Sequence, residues 1–502
     1  MLSKLKTSLL FAIIIIVAAC SDYQKPTRDL GYPEPILIAG EPASTNILLH
    51  ARLNSKDTIG NPYKGMDGIA LFEISIDSNF QQFYASSTKN ALAENDYTIK
   101  YRSRGLIPST KYYYRLKFGK DDKSLQYSRI ATFKTLPASD SEETVSMVMV
   151  TGTHYDRFYL GGNFGMSEKS SQGKAAYDGA DKALGYPAHA SILQLKPDIF
   201  IANGDNVYYD HPPFNKATTV EAMRHKWHQQ FFLERYRNLL DNTTTIWLKD
   251  DHDYRYDDAD TLAENAKHGP LPTHEDGIKT FIEQVPFLMQ EDSTAKPYRT
   301  MKMGKHLQLW LLEGRDYRSP NGMTDSEDKT IWGTAQKEWL KKGLLQSEAT
   351  FKILVSPTPM IGPDDKRKTD NHTNVGGFRF EGEAFFNWLT ENEFQDKNFY
   401  IFCGDRHWQY HSISPEGIEE FSSGALVDQN ARLGRLPGDP NSTDPEGKVS
   451  QPFTSPEASG GFLWAEVLSS TNGEPTLHIK LYDETGKMLY EATKMAAIPS
   501  LK

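Results

Sequence analysis

Apolar and polar residues alternate in short runs between Pro35 and Pro137. Runs of this kind, which are typical of half-buried strands, occur at 47–49, 69–74, 97–101 and 111–118. Gly, Asn, Asp and Ser residues separate the runs, and no helical period competes with them. The pattern therefore predicts an all-β unit over residues 35–137.

The pattern changes after a polar linker at residues 138–144. Six apolar runs, each suited to a buried strand, occur at 145–150, 198–202, 246–248, 307–312, 351–355 and 400–403. Helical patterns lie between them at 179–195, 219–240 and 335–345. Strands that alternate with helices predict an α/β layered domain over residues 145–495, with its site beyond one edge of a sheet. Alternating runs at 461–467, 476–482 and 488–492 predict strands that complete a second sheet.

The first twenty residues have the form of an export signal, with Lys4 and Lys6 before an apolar run at 9–17. The following Val-Ala-Ala-Cys resembles a bacterial lipobox, which implies that Cys20 carries a lipid and that residues 21–34 form a tether. We therefore expect an exported lipoprotein of the cell envelope, either periplasmic or attached to the outer membrane. A plain signal peptide is the alternative. Cys403 is then the one cysteine besides Cys20, so we expect no intramolecular disulfide and a buried apolar role for Cys403.

The charge balance limits the classes of partner. The chain of 502 residues carries 66 acidic and 56 basic residues, for a net charge of −10. This balance, without any basic tract, argues against a nucleic acid as the main partner. An anionic substrate remains compatible with the composition if cations in the site offset the local carboxylates. The oligomeric state stays open.

Acidic and His side chains directly follow four of the predicted strands. They are His154, Asp205, the segment Asp250-Asp251-His252-Asp253, and the pair Asp405 and His407. Carboxylates packed this closely would repel one another unless a cation lay between them. We therefore expect a metal site to which His154, Asp205, Asp251, Asp405 and His407 contribute ligands. For any one of them alone, a structural role such as helix N-cap is the alternative.

The order Gly-Asp, then an Asp-His-Asp box, then Gly-x-x-His resembles the calcineurin-like metallophosphoesterases. The segments 204–208 (GDNVY), 250–254 (DDHDY) and 404–408 (GDRHW) are most similar to the alkaline phosphatase D (PhoD-like) branch. Residues 105–114 and 132–135 resemble fibronectin type III strands, and that branch carries such a sandwich. The resemblance implies an N-terminal all-β sandwich followed by an α/β layered metallophosphoesterase domain with two packed sheets flanked by helices.

The resemblance also implies roles for individual residues. Asp205 should be a bridging metal ligand and Asp251, Asp405 and His407 further ligands, with Tyr208 as another candidate. His252 should assist the leaving group, with Asp253 or Asp250 orienting its ring, while a metal-bound hydroxide attacks phosphorus. The family implies two or more metal ions, iron and calcium, with zinc or manganese as alternatives. His154 stands where the family often has an iron-binding Cys.

A guanidinium fork matches two phosphate oxygens, so Arg157, Arg315, Arg318 and Arg406 are candidates for substrate binding. The expected activity is hydrolysis of phosphate monoesters or diesters. One alternative is a phosphodiesterase, including a phospholipase D-like enzyme. Another, of a different class, is a non-catalytic surface-binding lipoprotein with a relic phosphatase domain.

Overall fold

The computed structural model describes residues 33–57, 61–162, 174–262, 272–289, 292, 294–468 and 474–496. The leader, the lipidation site Cys20 and the tether up to residue 32 lie outside these residues, so the lipid anchor stays a prediction. Within the described ranges, each helix is too short or too polar to cross a bilayer.

The N-terminal strands form two facing sheets. These strands are β1 (Ile36–Gly40), β2 (Asn46–Arg52), β3 (Gly68–Ser75), β4 (Tyr84–Ala85), β5 (Lys89–Ala91), β6 (Thr98–Arg104), β7 (Lys111–Gly119), β8 (Gln126–Tyr127) and β9 (Ala131–Lys134). Strands β1, β2 and β6 are neighbours in one sheet, whereas β3, β4, β5, β7, β8 and β9 make the other. Leu49, Phe72, Tyr114 and Phe133 belong to the core between them. The predicted all-β sandwich is confirmed.

The remaining strands and the helices follow in layers. The strands are β10 (Val145–Val150), β11 (Ile199–Asn203), β12 (Thr244–Leu248), β13 (Arg299–Met303), β14 (Leu307–Leu311), β15 (Phe351–Ser356), β16 (Phe399–Cys403), β17 (Gln409–Ile413), β18 (Glu419–Ser423), β19 (Ser450–Thr454), β20 (Gly461–Leu468), β21 (Thr476–Asp483) and β22 (Met488–Met495). The helices are α1 (Tyr155–Leu160), α2 (Pro187–Leu195), α3 (Val220–Phe231), α4 (Glu234–Asn242), α5 (His274–Gln284), α6 (Gly333–Gln346) and α7 (Arg379–Glu391).

Two large sheets pack face to face in this part of the chain. One has the strand order β22-β21-β20-β10-β11-β12-β1-β2-β6, and the other has the order β13-β14-β15-β16-β18-β17-β19. Their shared core includes Met149, Ile201, Ile353 and Phe402. Helices α1 to α5 pack on the outer face of the first sheet, and α6 and α7 on that of the second. The predicted α/β layered fold with two packed sheets is confirmed.

The sandwich continues the first large sheet at the contact between β1 and β12, where Gly40 lies opposite Thr245 in a parallel register. A Cβ atom at Gly40 would lie 2.6 Å from the Pro286 ring and 2.9 Å from the Thr245 hydroxyl. Glycine therefore permits this close approach, and the Thr245 hydroxyl donates a hydrogen bond to the Ala39 carbonyl (2.8 Å). The N-terminal region and the α/β layered region thus share one hydrogen-bonded sheet.

Two details of the sequence interpretation are wrong. The C-terminal strands β20 to β22 do not complete the second sheet, because β20 pairs antiparallel with β10 and places all three in the first. The helical patterns at 179–195 and 219–240 are also too long. The first contains a 3-10 turn at Lys182–Leu184 and becomes α-helical only at Pro187, and the second is interrupted between α3 and α4. Cys403 is fully buried in β16, as predicted.

Candidate functional site

The predicted site residues lie where strands of both sheets end. Asp205 follows β11, the acidic segment 250–253 follows β12, and Asp405 follows β16. Gly204 and Asp205 both adopt positive φ angles of 80° and 53°. A Cβ atom at Gly204 would lie 2.5 Å from the Asp250 Cβ, so only glycine lets the turn after β11 pack against the acidic segment. The glycine in this turn thus brings the segment 204–208 next to the segment 250–254.

Two groups of donor atoms are close enough to hold cations. Asp205, Asp251 and His252 offer donor atoms within 4.8 Å of one another, and Asp251, Asp257 and Asp258 form a second such group. The Asp205 Oδ1 atom is buried and accepts no hydrogen bond from the described part of the chain. The carboxylate oxygens of these groups suit a divalent or trivalent cation. The residues present therefore fit a metal centre, and Asp251 belongs to both groups.

The charges of this cluster are out of balance without a cation. Burial raises the pKa of Asp205 well above its usual value, and Asp251 and Asp250 raise it further, although His252 opposes them. Burial would also raise the pKa of Asp251, but His252 and Arg315 hold it below its usual value. Neighbouring buried carboxylates that favour opposite protonation states are typical of groups that share a cation or a proton.

Tyr208 and His407 lie directly beside Asp205. The Tyr208 hydroxyl donates a hydrogen bond to Asp205 Oδ2 (2.9 Å), and His407 Nε2 lies 3.2 Å from that hydroxyl and 3.6 Å from the same carboxylate oxygen. Burial lowers the pKa of His407 well below its usual value, with Arg432 and Arg157 adding to the effect. A neutral imidazole is the form that binds metal ions. Asp405 lines the same cavity.

His252 is oriented by Asp210, a residue that the sequence interpretation missed. The His252 Nδ1 atom lies 2.7 Å from Asp210 Oδ1, and its Nε2 atom lies 3.9 Å from the Asp257 carboxylate. Burial lowers the pKa of His252, but Asp210, followed by Asp251 and Asp205, raises it to a value well above the usual one. His252 therefore favours its protonated form in this arrangement.

The prediction that Asp253 or Asp250 orients the His252 ring is wrong. Asp253 accepts hydrogen bonds from the backbone N–H of Asn206 (3.0 Å), from the Asn206 side chain (2.6 Å) and from the backbone N–H of Asp250 (2.7 Å). Asp250 instead accepts a hydrogen bond from Arg315 Nε (2.7 Å). Asp253 therefore holds the turns after β11 and β12 together, whereas Asp250 pairs with Arg315, and neither carboxylate is hydrogen-bonded to the imidazole.

His154 is brought to the site but not as an evident ligand. Its Nδ1 atom accepts a hydrogen bond from the backbone N–H of Arg157 (3.2 Å), which makes it the N-cap of α1. Its Nε2 atom lies 2.9 Å from His211 Nδ1, and its ring stacks on Tyr208 at a centroid distance of 3.9 Å. Both ring nitrogens thus have partners within the protein. The structural alternative describes His154 better than the ligand role.

Two of the four predicted phosphate-binding arginines are wrong, because Arg315 and Arg318 are buried away from the cavity, whereas Arg406 lines the cavity but is held in buried ion pairs. Arg315 binds Asp250, and Arg406 binds Asp364 (2.7 Å) as well as Asp370 (3.4 Å). Arg318 donates to the Asp370 carbonyl and lies over the Phe378 ring at 4.5 Å. Arg315 and Arg318 are 0% and 1% exposed, so their guanidinium groups cannot reach a substrate.

A cavity of about 300 Å³ opens beside the cluster. Its lining includes Tyr208, His252 and His407, together with the cationic side chains of Arg157, Lys368 and Arg432. Two of the predicted substrate-binding arginines are in this lining, the half-buried Arg157 and the buried Arg406. Lys368 and Arg432 come from two long polar segments, at 363–377 and 424–461.

Several residues at the candidate site were not assigned from the sequence. Asp210 and His211 follow the Gly-Asp box within seven residues, so an acid–His pair in that loop was a usable signal. Asn430 donates a hydrogen bond to the Tyr208 hydroxyl (2.9 Å) from a distant loop. No local pattern marks Asn430, Lys368 or Arg432, because only the tertiary structure brings them to the cavity.

Comparison with known proteins agrees with this geometry. The family model described as "PhoD-like phosphatase" matches residues 174–436, more than half of the chain, and the model of the N-terminal domain of the same family matches residues 37–137. The chain belongs to the PhoD-like phosphatase family. The recognition made from the three sequence boxes is therefore confirmed.

Individual relatives are distant. Alkaline phosphatase D of Bacillus subtilis (strain 168) is 20% identical over 353 residues, which cover 64% of this chain and 55% of that protein. The chain thus matches about half the length of this curated relative. The solved structure of PhoD aligns with a TM-score of 0.68 at 17% identity, covering 92% of this chain and 89% of the other. The purple acid phosphatase PPD1 from yellow lupin (Lupinus luteus) seeds aligns with a TM-score of 0.56 at 13% identity, covering 93% and 75%. Both structural matches establish a shared fold.

Proposed function

We propose that this chain is a metal-dependent phosphohydrolase that cleaves phosphate monoesters or diesters. One observation carries the proposal: a buried Asp205 oxygen without a hydrogen-bond partner lies beside Asp251 and His252, next to a cavity that contains cationic side chains. Such a combination suits an anionic substrate held against a metal centre. Membership of the PhoD-like phosphatase family supports the same reaction class.

Asp205, Asp251 and His407 would hold the cations, with Tyr208 and Asp405 as the further candidates. The proposed ions are iron and calcium, with zinc or manganese as alternatives. When bound, such cations activate a water molecule and neutralise the negative charge that develops on the phosphoryl group. Asp257 and Asp258 add a second group of oxygen donors around Asp251. Oxygen-rich donor sets of this kind suit calcium better than a softer metal.

His252 would donate a proton to the oxygen of the leaving group. Its Nδ1 atom is held by Asp210, which leaves Nε2 on the side of the cavity. Asp210 acts as a positioning residue, because its charge fixes the ring and keeps the imidazole protonated. The leaving alcohol would thus depart as a neutral molecule rather than as an alkoxide.

The proposed location is the bacterial cell envelope, with the protein attached to a membrane through a lipid on Cys20. The lipobox-like sequence at residues 17–20 supports this proposal. The substrate would then be a phosphate ester outside the cytoplasm. The phosphodiesterase alternative concerns the same site. The relic alternative is less favourable, because the Asp205–Asp251–His252 cluster and the Asp210–His252 pair are both complete.

Turnover of p-nitrophenyl phosphate and of its bis ester tests the proposal. We expect hydrolysis of at least one ester, its loss in the presence of a chelator, and a loss of roughly 100-fold or more in Asp205→Asn and His252→Ala. His478→Ala, on the distant strand β21, is the matched control and should keep full activity. If neither ester were hydrolysed in the presence of added iron, calcium, zinc or manganese, the proposed enzymatic function would be refuted. Undiminished turnover in Asp205→Asn would refute this site.

A further inference from the structure

We propose that Arg432 is a substrate-binding residue whose guanidinium contacts a terminal phosphoryl oxygen and thereby favours phosphate monoesters over diesters. This inference rests on the proposed phosphohydrolase function. It gives a role to a side chain that lines the cavity but that none of the sequence boxes contains.

Arg432 differs from the buried arginines of the site in its partners. Arg315 and Arg406 are neutralised by buried carboxylates, whereas no carboxylate within the described residues lies within ion-pair distance of Arg432. Its Nε atom is shielded from solvent and donates no hydrogen bond to the described part of the chain. Lys368, the other cation on this rim, is already engaged by Asp258 (2.5 Å). Arg432 therefore keeps its hydrogen-bonding capacity for an anion in the cavity.

The position of Arg432 is fixed in advance by its neighbours. Its backbone N–H donates a hydrogen bond to the His407 carbonyl (3.0 Å), and its guanidinium lies 5.5 Å from the centroid of the Trp408 ring. Trp408 is buried, and Gly434 packs so closely on its indole that a Cβ atom would overlap the ring. The loop is thus held against the segment that carries His407. A guanidinium that is already ordered loses little side-chain entropy when it binds an oxyanion.

Arg157 complements Arg432 in the same cavity. Both side chains line the cavity together with His407. Arg157 comes from α1 and Arg432 from a loop more than 270 residues later in the chain. The space beside His407 is therefore positively charged from two separate elements, and the Tyr208 hydroxyl and His252 also line it.

The chemistry of the two ester classes leads to the expected selectivity. A monoester presents three terminal oxygens and up to two negative charges, whereas a diester presents two terminal oxygens and one charge. The third oxygen of a monoester has no counterpart in a diester and is the one that a guanidinium at the rim would bind. Loss of Arg432 should therefore weaken the reaction of monoesters more than that of diesters.

The test compares Arg432→Gln with Arg435→Gln, a neighbour in the same loop that pairs with Asp365 and Asp439 at 3.3 Å. For Arg432→Gln we expect kcat/KM for p-nitrophenyl phosphate to fall about 10- to 100-fold, the size of one charge-assisted hydrogen bond. The fall for the bis ester should be several times smaller. Arg432→Lys keeps the positive charge but not the two parallel N–H donors. Its fall in kcat/KM for p-nitrophenyl phosphate should therefore be smaller than that of Arg432→Gln. Arg435→Gln should match the wild type.

Inorganic phosphate binding, measured by calorimetry on the purified protein, separates this inference from the proposed function. We expect Arg432→Gln to bind phosphate about 10-fold or more weakly, with an unchanged melting temperature. An equal fall for both esters, or unaltered phosphate affinity, would overturn the role of Arg432 while leaving the hydrolase intact. No turnover and no phosphate binding by the wild type would overturn both.

Discussion

Replacing Asp210 with Asn gives the sharpest test of how the site assists the leaving group. Asp210 does not line the cavity, yet its carboxylate lies 2.7 Å from His252 Nδ1. Asparagine has nearly the same shape and can still accept a hydrogen bond, so the substitution removes mainly the negative charge. It therefore isolates the electrostatic support of His252 from its steric environment.

The size of the effect follows from the type of bond that is weakened. A hydrogen bond between charged, buried groups contributes about 1.5 to 3 kcal/mol, and each 1.4 kcal/mol corresponds to about a factor of ten in rate. We expect kcat to fall about 10- to 100-fold and KM to change little. Asp210 also contributes to the raised pKa of His252. The loss of activity at high pH should therefore begin at a lower pH in Asp210→Asn, because His252 must be protonated to act.

Steady-state kinetics over a range of pH, with p-nitrophenyl phosphate as substrate, measures both effects. Asp241→Asn is the matched control, since Asp241 is a buried acid that pairs with Arg129 Nη2 (2.7 Å) far from the cavity. It should reduce stability without altering the pH profile. A kcat and pH profile in Asp210→Asn identical to those of the wild type would refute the role of the Asp210–His252 pair.

Three further predictions concern stability. Chelation should lower the melting temperature as well as the activity, because it returns uncompensated charge to the buried cluster around Asp205; an unchanged melting curve would contradict a structural metal. Arg315→Ala should lower the free energy of unfolding by about 3 to 5 kcal/mol in urea, since it leaves the Asp250 carboxylate unpaired; a raised KM with full stability would instead restore its predicted substrate role. Burial and Asp428 raise the pKa of Glu484 to about 7, so this group stabilises the fold at low pH and the stabilisation is lost as pH rises through 7. The free energy of unfolding of Glu484→Gln should therefore exceed that of the wild type by about 1 to 2 kcal/mol near pH 8 and equal it near pH 4, below the ordinary pKa of 4.5; a gain independent of pH would contradict this.

The site is predicted best from the sequence where acidic and His residues directly follow a predicted strand. Asp205, Asp251 and His252 follow apolar runs directly, and parallel strands that end at one edge bring such residues together. The sandwich and the packed sheets are likewise predictable, because hydrophobic period and turn residues are local. The strand identity of β20 to β22 is predictable for the same reason. Their membership of the first sheet is not, since alternation does not identify the neighbouring strand.

The wrong predictions about site residues arise because the contact partners of those residues are distant along the chain. Arginine is a plausible phosphate ligand by type, but Arg315 and Arg406 meet buried acids that only the folded chain provides. In the same way, Asp250 and Asp253 are adjacent to His252 in sequence, whereas Asp210 reaches its ring from a separate loop. Proximity along the chain is therefore a poor guide to which carboxylate orients the imidazole.

The metal content of the purified protein tests the central claim most directly. Elemental analysis of protein prepared without chelator should find two or more metal ions per chain in the wild type, among iron, calcium, zinc and manganese. Asp205→Asn should lose a large part of this metal, while the control His478→Ala should retain it. Absence of bound metal in the wild type, or full retention in Asp205→Asn, would contradict the account.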